Sequence, residues 1–547
     1  MRPPWRLLAA AALCCALAPV ARAQQLAVGD PLEDYLRVLQ LAGRAATAGP
    51  AGASFTIRPL ARDWAIAGVA AGSTHPWRDR LAAAPRAARL GAARLIAAET
   101  ELRLFENSAF PSGQNDGAVW QGRGLTAALD AGGTLRWGPL TVEVRPTLVY
   151  TQNRAFPLAP VSAPGRTNYA NPWHPRVNGQ GGWIDAPQRF GTEAFWRLDP
   201  GQTSLRVDAA GVLAGFGWEN LWWGPGVRNA IVMSNNAPGF PHAFLGTSRP
   251  RDVGVGHVEA QWVWGRLQGS GWSDSVVSDT ARFITGLVGS FAPKALPGLT
   301  LGATRMFYAY LPPAGLGLSD YLLVLQGITK RGFATDSNPD GNDARDQLLS
   351  LFARWVLPES GFEAYLEWAR NDHSWDLRDF MLEPEHSQSY TLGFQKVIQL
   401  SGDRLLRLGG ELTHLERSPT FQVRAEPTYY VHHLVREGYT QRGQVIGAGI
   451  GPGSNAQRLW GDVFTRWGRV GAFVGRQVHD NDAYYAQVQD YRRNDVSLTI
   501  GVTGLLFVRG FDVGGSLAWT KEYNRYFVLR DDRTNLGFHL SVRWHPL

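Results

Sequence analysis

The chain has 547 residues but only two cysteines, Cys14 and Cys15, and both fall within the first 23 positions. A chain processed after Ala23 therefore carries no disulfide and no thiolate metal site. Lysine is scarce too: Lys294, Lys330, Lys396 and Lys521 are the only ones among 54 basic residues. The positive charge is almost all arginine and is dispersed, without the basic tail or stripe that marks a nucleic-acid binder. Long apolar runs are missing beyond residue 23. No stretch there approaches the roughly 18 residues of a spanning helix.

The first residues have the form of an export signal. Arg2 and Arg6 precede an apolar run from Leu7 to Val20, and Ala21-Arg22-Ala23 is a small-x-small cleavage site. The reading predicts a signal peptide over 1–23 and a mature start at Gln24. No leucine stands three residues before either cysteine, so a lipoprotein anchor is not predicted. The leader holds Arg2, Arg6 and Arg22, so its removal lowers the formal charge from +7 to +4. Anionic sugars and lipopolysaccharide phosphates suit an arginine-rich surface, because the guanidinium fork binds both. Pairing with Asp and Glu inside the fold is an equal alternative.

Residues 24–90 are rich in Ala, Leu and Arg. Leu32, Tyr35, Leu36 and Leu39 recur at helical spacing after Pro31. Further helices are predicted over about 61–71 and 77–90, with 54–59 extended. This zone is predicted to be a small α-helical bundle on the periplasmic side of a barrel formed by the rest of the chain.

From about residue 91 to 547 the texture changes to glycine, tryptophan and alternating runs. Val142, Val144, Leu148 and Tyr150 oppose Glu143, Arg145 and Thr147, while Val496, Leu498, Ile500 and Val502 oppose Ser497, Thr499 and Thr503. In the last run Phe538, Leu540, Val542 and Trp544 oppose His539, Ser541 and Arg543. Period two places successive side chains on opposite faces of a strand. Runs of about ten residues match a tilted strand crossing a bilayer. The fold class predicted is an all-β transmembrane barrel, a large antiparallel outer-membrane barrel of about 18 strands at roughly 25 residues per strand and turn. The 21 tryptophans, among them Trp137, Trp262, Trp264, Trp355, Trp368 and Trp544, fit the aromatic girdles of such a barrel.

The long loops predicted at 171–190, 218–251, 331–346 and 417–444 are the places to look for function. Aromatics beside amides and charges are the chemistry of sugar binding, the ring stacking on the pyranose and the polar groups bonding its hydroxyls. Trp218, Glu219, Asn220, Trp222 and Trp223, followed by Arg228, Asn235, Asn236 and His242, supply both halves. Tyr439 and Arg442 add to them. The structural alternative is a tightly turned plug set by Gly224, Pro225, Gly226, Pro238 and Gly239. His432-His433, with His386 and His414, lacks a metal-ligand spacing. The acids Asp480 and Asp482, or Asp336, Asp340, Asp343 and Asp346, lack the full spacing of a calcium loop. Spacing singles out no nucleophile–base pair, so no catalytic residue, cofactor or metal is predicted. Gly447, Gly449, Gly451 and Gly453 lack the strand–turn–helix setting of a dinucleotide site and are expected to relieve crowding in a strand or bulge.

Five segments carry a resemblance: 115–124 (NDGAVWQGRG), 218–225 (WENLWWGP), 233–250 (MSNNAPGFPHAFLGTSRP), 363–372 (EAYLEWARND) and 438–457 (GYTQRGQVIGAGIGPGSNAQ). Together they make the chain resemble the Wzi-like capsule assembly family of outer-membrane proteins, from about Pro31 to the C-terminus. The resemblance implies a non-enzymatic outer-membrane lectin. Such a protein binds surface (capsular or exo-) polysaccharide and aids its assembly or attachment to the cell surface. The partners it implies are that polysaccharide, outer-membrane lipid and lipopolysaccharide, and the barrel-assembly machinery during insertion. The reading from another class is a porin-like channel or transporter for small solutes or sugars, suggested by polar faces such as Glu143, Arg145, Glu363 and Glu367.

Overall fold

The computed structural model describes residues 24–83, 86–173, 176–177, 180–274, 281–327, 329, 345–371 and 374–545. The export signal and the loop acids Asp336, Asp340 and Asp343 lie outside the described residues.

One large antiparallel sheet dominates the molecule, and hydrogen bonding divides it into 24 segments. Several segments are collinear halves of one strand, broken by a bulge or a proline. We number the strands accordingly. The first are β1 (Ala93–Ala97 and Thr100–Asn107), β2 (Gly124–Asp130 and Gly133–Trp137), β3 (Leu140–Val144 and Thr147–Thr151) and β4 (Phe195–Asp199 and Ser204–Ala209). Then come β5 (Val212–Gly217), β6 (His242–Thr247), β7 (Gly256–Leu267), β8 (Arg282–Pro293) and β9 (Leu299–Tyr310). They are followed by β10 (Arg345–Leu357), β11 (Phe362–Asn371), β12 (Gln388–Gln399), β13 (Leu405–His414) and β14 (Asn455–Thr465). The last are β15 (Gly468–Val478), β16 (Val496–Val508), β17 (Phe511–Tyr523) and β18 (Arg533–Trp544). Each pairs antiparallel with the next, and β18 pairs with β1, Phe538 opposite Glu106 and Val542 opposite Leu102.

The alternation read in the sequence sorts side chains onto two faces. On β11, Glu363, Tyr365 and Glu367 are buried while Leu366 is exposed. On β16, Ser497 is buried while Leu498, Ile500, Val502 and Leu506 are exposed. Leu102, Leu148, Leu205, Leu301, Leu351, Leu392, Leu408, Leu459, Leu517 and Leu536 extend this apolar outer face from strand to strand. Trp137, Trp355 and Trp544 lie on it at or near strand ends.

The N-terminal residues pack on the inner face. Helix α1 (Pro31–Leu41) starts where Asp30 Oδ1 accepts the Leu32 N–H at 2.8 Å and Pro31 takes the first turn. Helices α2 (Arg62–Ala67) and α3 (Arg78–Ala82) are short. The helix predicted over 77–90 stops early: Ala87–Leu90 is a strand paired with Ala93–Ala97. Ala and Arg favour a helix, but pairing to the sheet edge overrides propensity there. Tyr35, Leu36, Leu39 and Trp77 form a buried cluster with Val356, Val397, Leu405, Phe464 and Leu505, all at strand ends next to short turns. The Trp77 indole N–H donates to the Thr465 carbonyl at 3.1 Å.

Ion pairs bind the helix to the wall. Arg37 and Arg354 both bond Glu363, at 2.8 Å each through Nε, and Gln395 donates to the same carboxylate at 2.6 Å. Asp34 pairs with Arg407 at 2.5 Å and Arg469 at 2.9 Å, and Arg407 pairs with Asp462 at 2.6 Å. This zone therefore packs against the inner-face side chains near the strand ends.

Two loop segments also fold inward. Residues 218–241, between β5 and β6, and 428–450, between β13 and β14, bury Trp223, Ile231, Val232, Met233, Tyr430, Tyr439 and Ile446. They pack on Val263, Ile284, Val288, Met306 and Leu348 of β7 to β10. Glycine is required where the first segment folds back on itself and where the second crosses it. A Cβ on Gly239 would lie 1.7 Å from the Trp218 carbonyl oxygen, and one on Gly447 would lie 2.2 Å from that of Ile231. The glycines at 447 and 449 thus relieve crowding, as expected, but within an inner loop rather than a strand.

Candidate functional site: a polar interior cavity

The inner segments fill the space against β7 to β13. Opposite them lies a cavity of about 960 Å³ walled by β14 to β18 and β1. Its lining is polar and rich in arginine: Arg103, Arg458, Arg476 and Arg543 come from the strands, and Arg228 from the inner loop. Asn115, Gln121, Asn220 and Asn235 add amide groups, and Phe105, Phe473 and Trp222 add rings.

The turn carrying Arg228 is held by one carboxylate. Glu411, on the inner face of β13, accepts the backbone N–H groups of Val227 at 2.7 Å, Arg228 at 3.1 Å and Asn229 at 2.8 Å, and the Tyr365 hydroxyl at 2.8 Å. Those donors use up its oxygens. Among the described residues Arg228 and Arg458 form no ion pair, and both line the cavity. The Arg458 guanidinium lies over the Phe473 ring, 3.7 Å from its centroid. Arg228 Nε is buried without a hydrogen-bond partner. A pair of cations with spare donors, next to an aromatic ring, is a receptor for a planar anion such as a carboxylate.

Asp116 is the acid set among these cations. Burial pushes its pKa up to about 6, opposed by Arg103, by the Gln121 amide that donates to it at 2.6 Å, and by Arg228. Arg103 itself pairs with Asp130 at 2.9 Å.

The sugar-binding candidates divide between cavity and packing. Asn220, Trp222, Arg228 and Asn235 border the cavity. Trp222 is stacked by Arg58, 4.4 Å from its ring centroid, and Asn235 donates to the Val28 carbonyl at 3.2 Å. Trp223 is fully buried, its indole N–H on Gln261 at 2.9 Å, and His242 is fully buried against the Phe240 carbonyl at 2.8 Å. Tyr439 is fully buried and donates to the Val232 carbonyl at 2.8 Å. Asn236 accepts the Asn115 N–H at 3.2 Å, Trp218 packs edge-on against Phe216, and Glu219 is buried. Arg442 pairs with Asp199 at 3.0 Å. The other weighed acids have structural partners: Asp482 accepts the Arg417 N–H at 2.9 Å, Asp480 the Ala483 N–H at 3.1 Å, and Asp346 the Tyr308 hydroxyl at 2.7 Å.

Sequence reading missed Arg103, Asp116, Arg458 and Arg476. The signal was present: Arg103 and Arg458 each precede an apolar position in an alternating run, which places them on the inner face.

Among solved structures, the chain is similar to Wzi of Escherichia coli, an outer-membrane protein involved in group 1 capsule assembly and described as a carbohydrate-binding β-barrel. The TM-score is 0.64 at 14% identity, over 96% of this chain and 100% of that one. A fainter likeness, TM-score 0.40 at 10% identity over 82% of this chain and 97% of the other, is to OccAB2 of Acinetobacter baumannii. No curated protein sequence matches the chain. The family described as capsule assembly protein Wzi matches residues 110–502, most of the chain, and the protein belongs to that family.

Proposed function

We propose that this chain is a closed outer-membrane barrel of about 18 strands. In this reading it binds surface polysaccharide in its interior cavity and aids the polymer's assembly or attachment, without catalysing a reaction. The observation that carries the reading is the unpaired Arg228 and Arg458 beside Phe473, inside a cavity rich in amides, in a member of the Wzi family. That chemistry favours an acidic polymer, its carboxylates on the guanidiniums and its hydroxyls on Asn115, Asn220 and Asn235. The return of pairing from β18 to β1 supports closure, and the continuous apolar outer face supports burial in lipid. The short turns next to α1 to α3 support a periplasmic position for the N-terminal zone. Export by the signal at 1–23, insertion by the barrel-assembly machinery and contact with lipopolysaccharide complete the proposal. Against a channel stands the packing of the N-terminal residues across the strand ends, anchored through Glu363 and Asp34.

The test is the partition of polysaccharide between cells and medium. Cells lacking the chain are expected to release polymer that the parent retains, at unchanged total. An unchanged partition, with steady conductance of the purified chain in planar bilayers, would favour the channel instead.

A pH effect arises from Asp116. Its carboxyl is charged above about pH 6 and neutral below. Protonation removes a negative charge next to Arg103 and Arg228 while a uronate ligand stays ionised. Affinity for an acidic oligosaccharide is therefore expected to rise severalfold as pH falls from about 7.5 to 5, and Asp116→Asn to flatten the profile at the low-pH level. Titrations of both proteins across that range check it; parallel profiles would remove Asp116 from the account.

A further inference from the structure

At one edge of the cavity three side chains from separate elements converge. His479 follows β15, Asp495 precedes β16, and Glu522 lies near the end of β17. Each offers one ligand atom, and these atoms all lie within 4.8 Å of one another. The frame is held by the His479 N–H on the Asp495 carbonyl at 3.0 Å. Asp495 and Glu522 are each 4% exposed, and all three residues line the cavity.

Arg525 pairs with Glu522 and also donates to the Tyr526 hydroxyl at 2.9 Å. Asp495 Oδ2 accepts the Tyr526 N–H at 2.7 Å, but Asp495 Oδ1 is buried with no hydrogen-bond partner. Two buried carboxyl groups thus share one edge of the cavity with a single guanidinium, and one of their oxygens stands without a partner beside an imidazole. His479 offers either ring nitrogen, Nε2 now resting on the Ser497 hydroxyl at 2.9 Å and Nδ1 on the Gln477 amide at 3.3 Å.

We propose that His479, Asp495 and Glu522 form a binding site for a divalent cation of the zinc class. Imidazole nitrogen and carboxylate oxygen are both ligands that Zn²⁺ accepts, and bonds near 2.0 to 2.2 Å place such ligands about 3.4 Å apart in a tetrahedral shell. The three atoms, all within 4.8 Å of one another, therefore need to approach by no more than about 1.4 Å. All three residues line the cavity, so water or a ligand oxygen could complete the shell from there. No spacing in the sequence announces the site, because β15, β16 and β17 bring its members together across two loops.

The competing arrangement is a proton shared between the two carboxyls, and it binds no metal. Calorimetric titration of the metal-free, detergent-solubilised full chain with Zn²⁺, repeated with Co²⁺ and its visible spectrum, separates the two. The expected result is one ion per chain, with a Co²⁺ spectrum of mixed nitrogen and oxygen ligation. His479→Ala and Asp495→Asn are each expected to weaken binding by at least about tenfold. Asp490→Asn, in the same loop but paired with Arg492, is expected to bind like the parent. Heat-modifiable migration on gels confirms that each variant is folded. Absence of stoichiometric binding by the parent chain, or binding that survives in folded His479→Ala and Asp495→Asn, overturns the proposal. The titration contains no glycan, so its outcome is independent of polysaccharide binding.

Discussion

Glu363→Ala is expected to destabilise the chain by about 3–5 kcal/mol, because it leaves two buried cations without a partner. Glu363 is fully buried, and Arg37 of α1 and Arg354 of β10 both rest on it. Arg354 also holds Gln40 at 2.9 Å and the Ser54 carbonyl at 3.0 Å, so one carboxylate organises α1, the segment after it and two strands. Its loss is expected to release the N-terminal zone before the sheet unfolds. Urea unfolding of the refolded protein in detergent gives the energy, and trypsin cleavage after Arg44 gives the release. A loss below about 1 kcal/mol, the range of exposed ion pairs, would mean that water reaches the arginines and that the zone is not anchored through them.

Glu411→Ala is expected to separate stability from binding. The substitution orphans three backbone N–H groups at 227–229 and the buried Tyr365 hydroxyl. Hydrogen bonds to a charged group contribute about 1.5–3 kcal/mol each in net terms, so a destabilisation of several kcal/mol is expected. More telling is the effect on ligand. The turn that aims Arg228 into the cavity loses its anchor, so affinity for an acidic oligosaccharide is expected to fall by more than about tenfold, or 1.4 kcal/mol. Glu411→Gln keeps one acceptor oxygen and is expected to fall between the two. Binding that stays at the parent level in a folded Glu411→Ala protein would show that Arg228 is not placed by this carboxylate.

The strands were legible because period two survives along nearly the whole length of β16 and β18, where nothing interrupts it. Helix α1 was legible for a similar local reason: Pro31 starts it, and Tyr35, Leu36 and Leu39 recur on one face. The stretch 87–90 was not legible, since its Ala and Arg content speaks for a helix and only the neighbouring strand at Ala93–Ala97 makes it extended. At the site, the aromatic segment at 218–225 drew attention by composition. Composition does not show that both rings are buried, Trp223 in the packed core and Trp222 beneath Arg58 at the cavity's edge. That burial depends on Gly239, where the 218–241 segment folds back on its own backbone, and on Gly447, where the 428–450 segment crosses it; together they bury most of those rings. Arg228 and Arg458 stand 230 positions apart, and no local pattern announces that they face the same cavity. The residues that define the cavity chemically are ordinary inner-face positions of strands, visible only once the strands are set side by side.

The most direct measurement is a titration of the purified chain with matched acidic and neutral oligosaccharides, repeated with Arg228→Ala, Arg458→Ala and the double variant. Saturable binding of the acidic ligand, weak binding of the neutral one, and a loss of at least about tenfold in the double variant while the folded state is kept are expected. Equal affinity for both ligands, or an acidic ligand held as tightly without the two arginines, would contradict the proposed function.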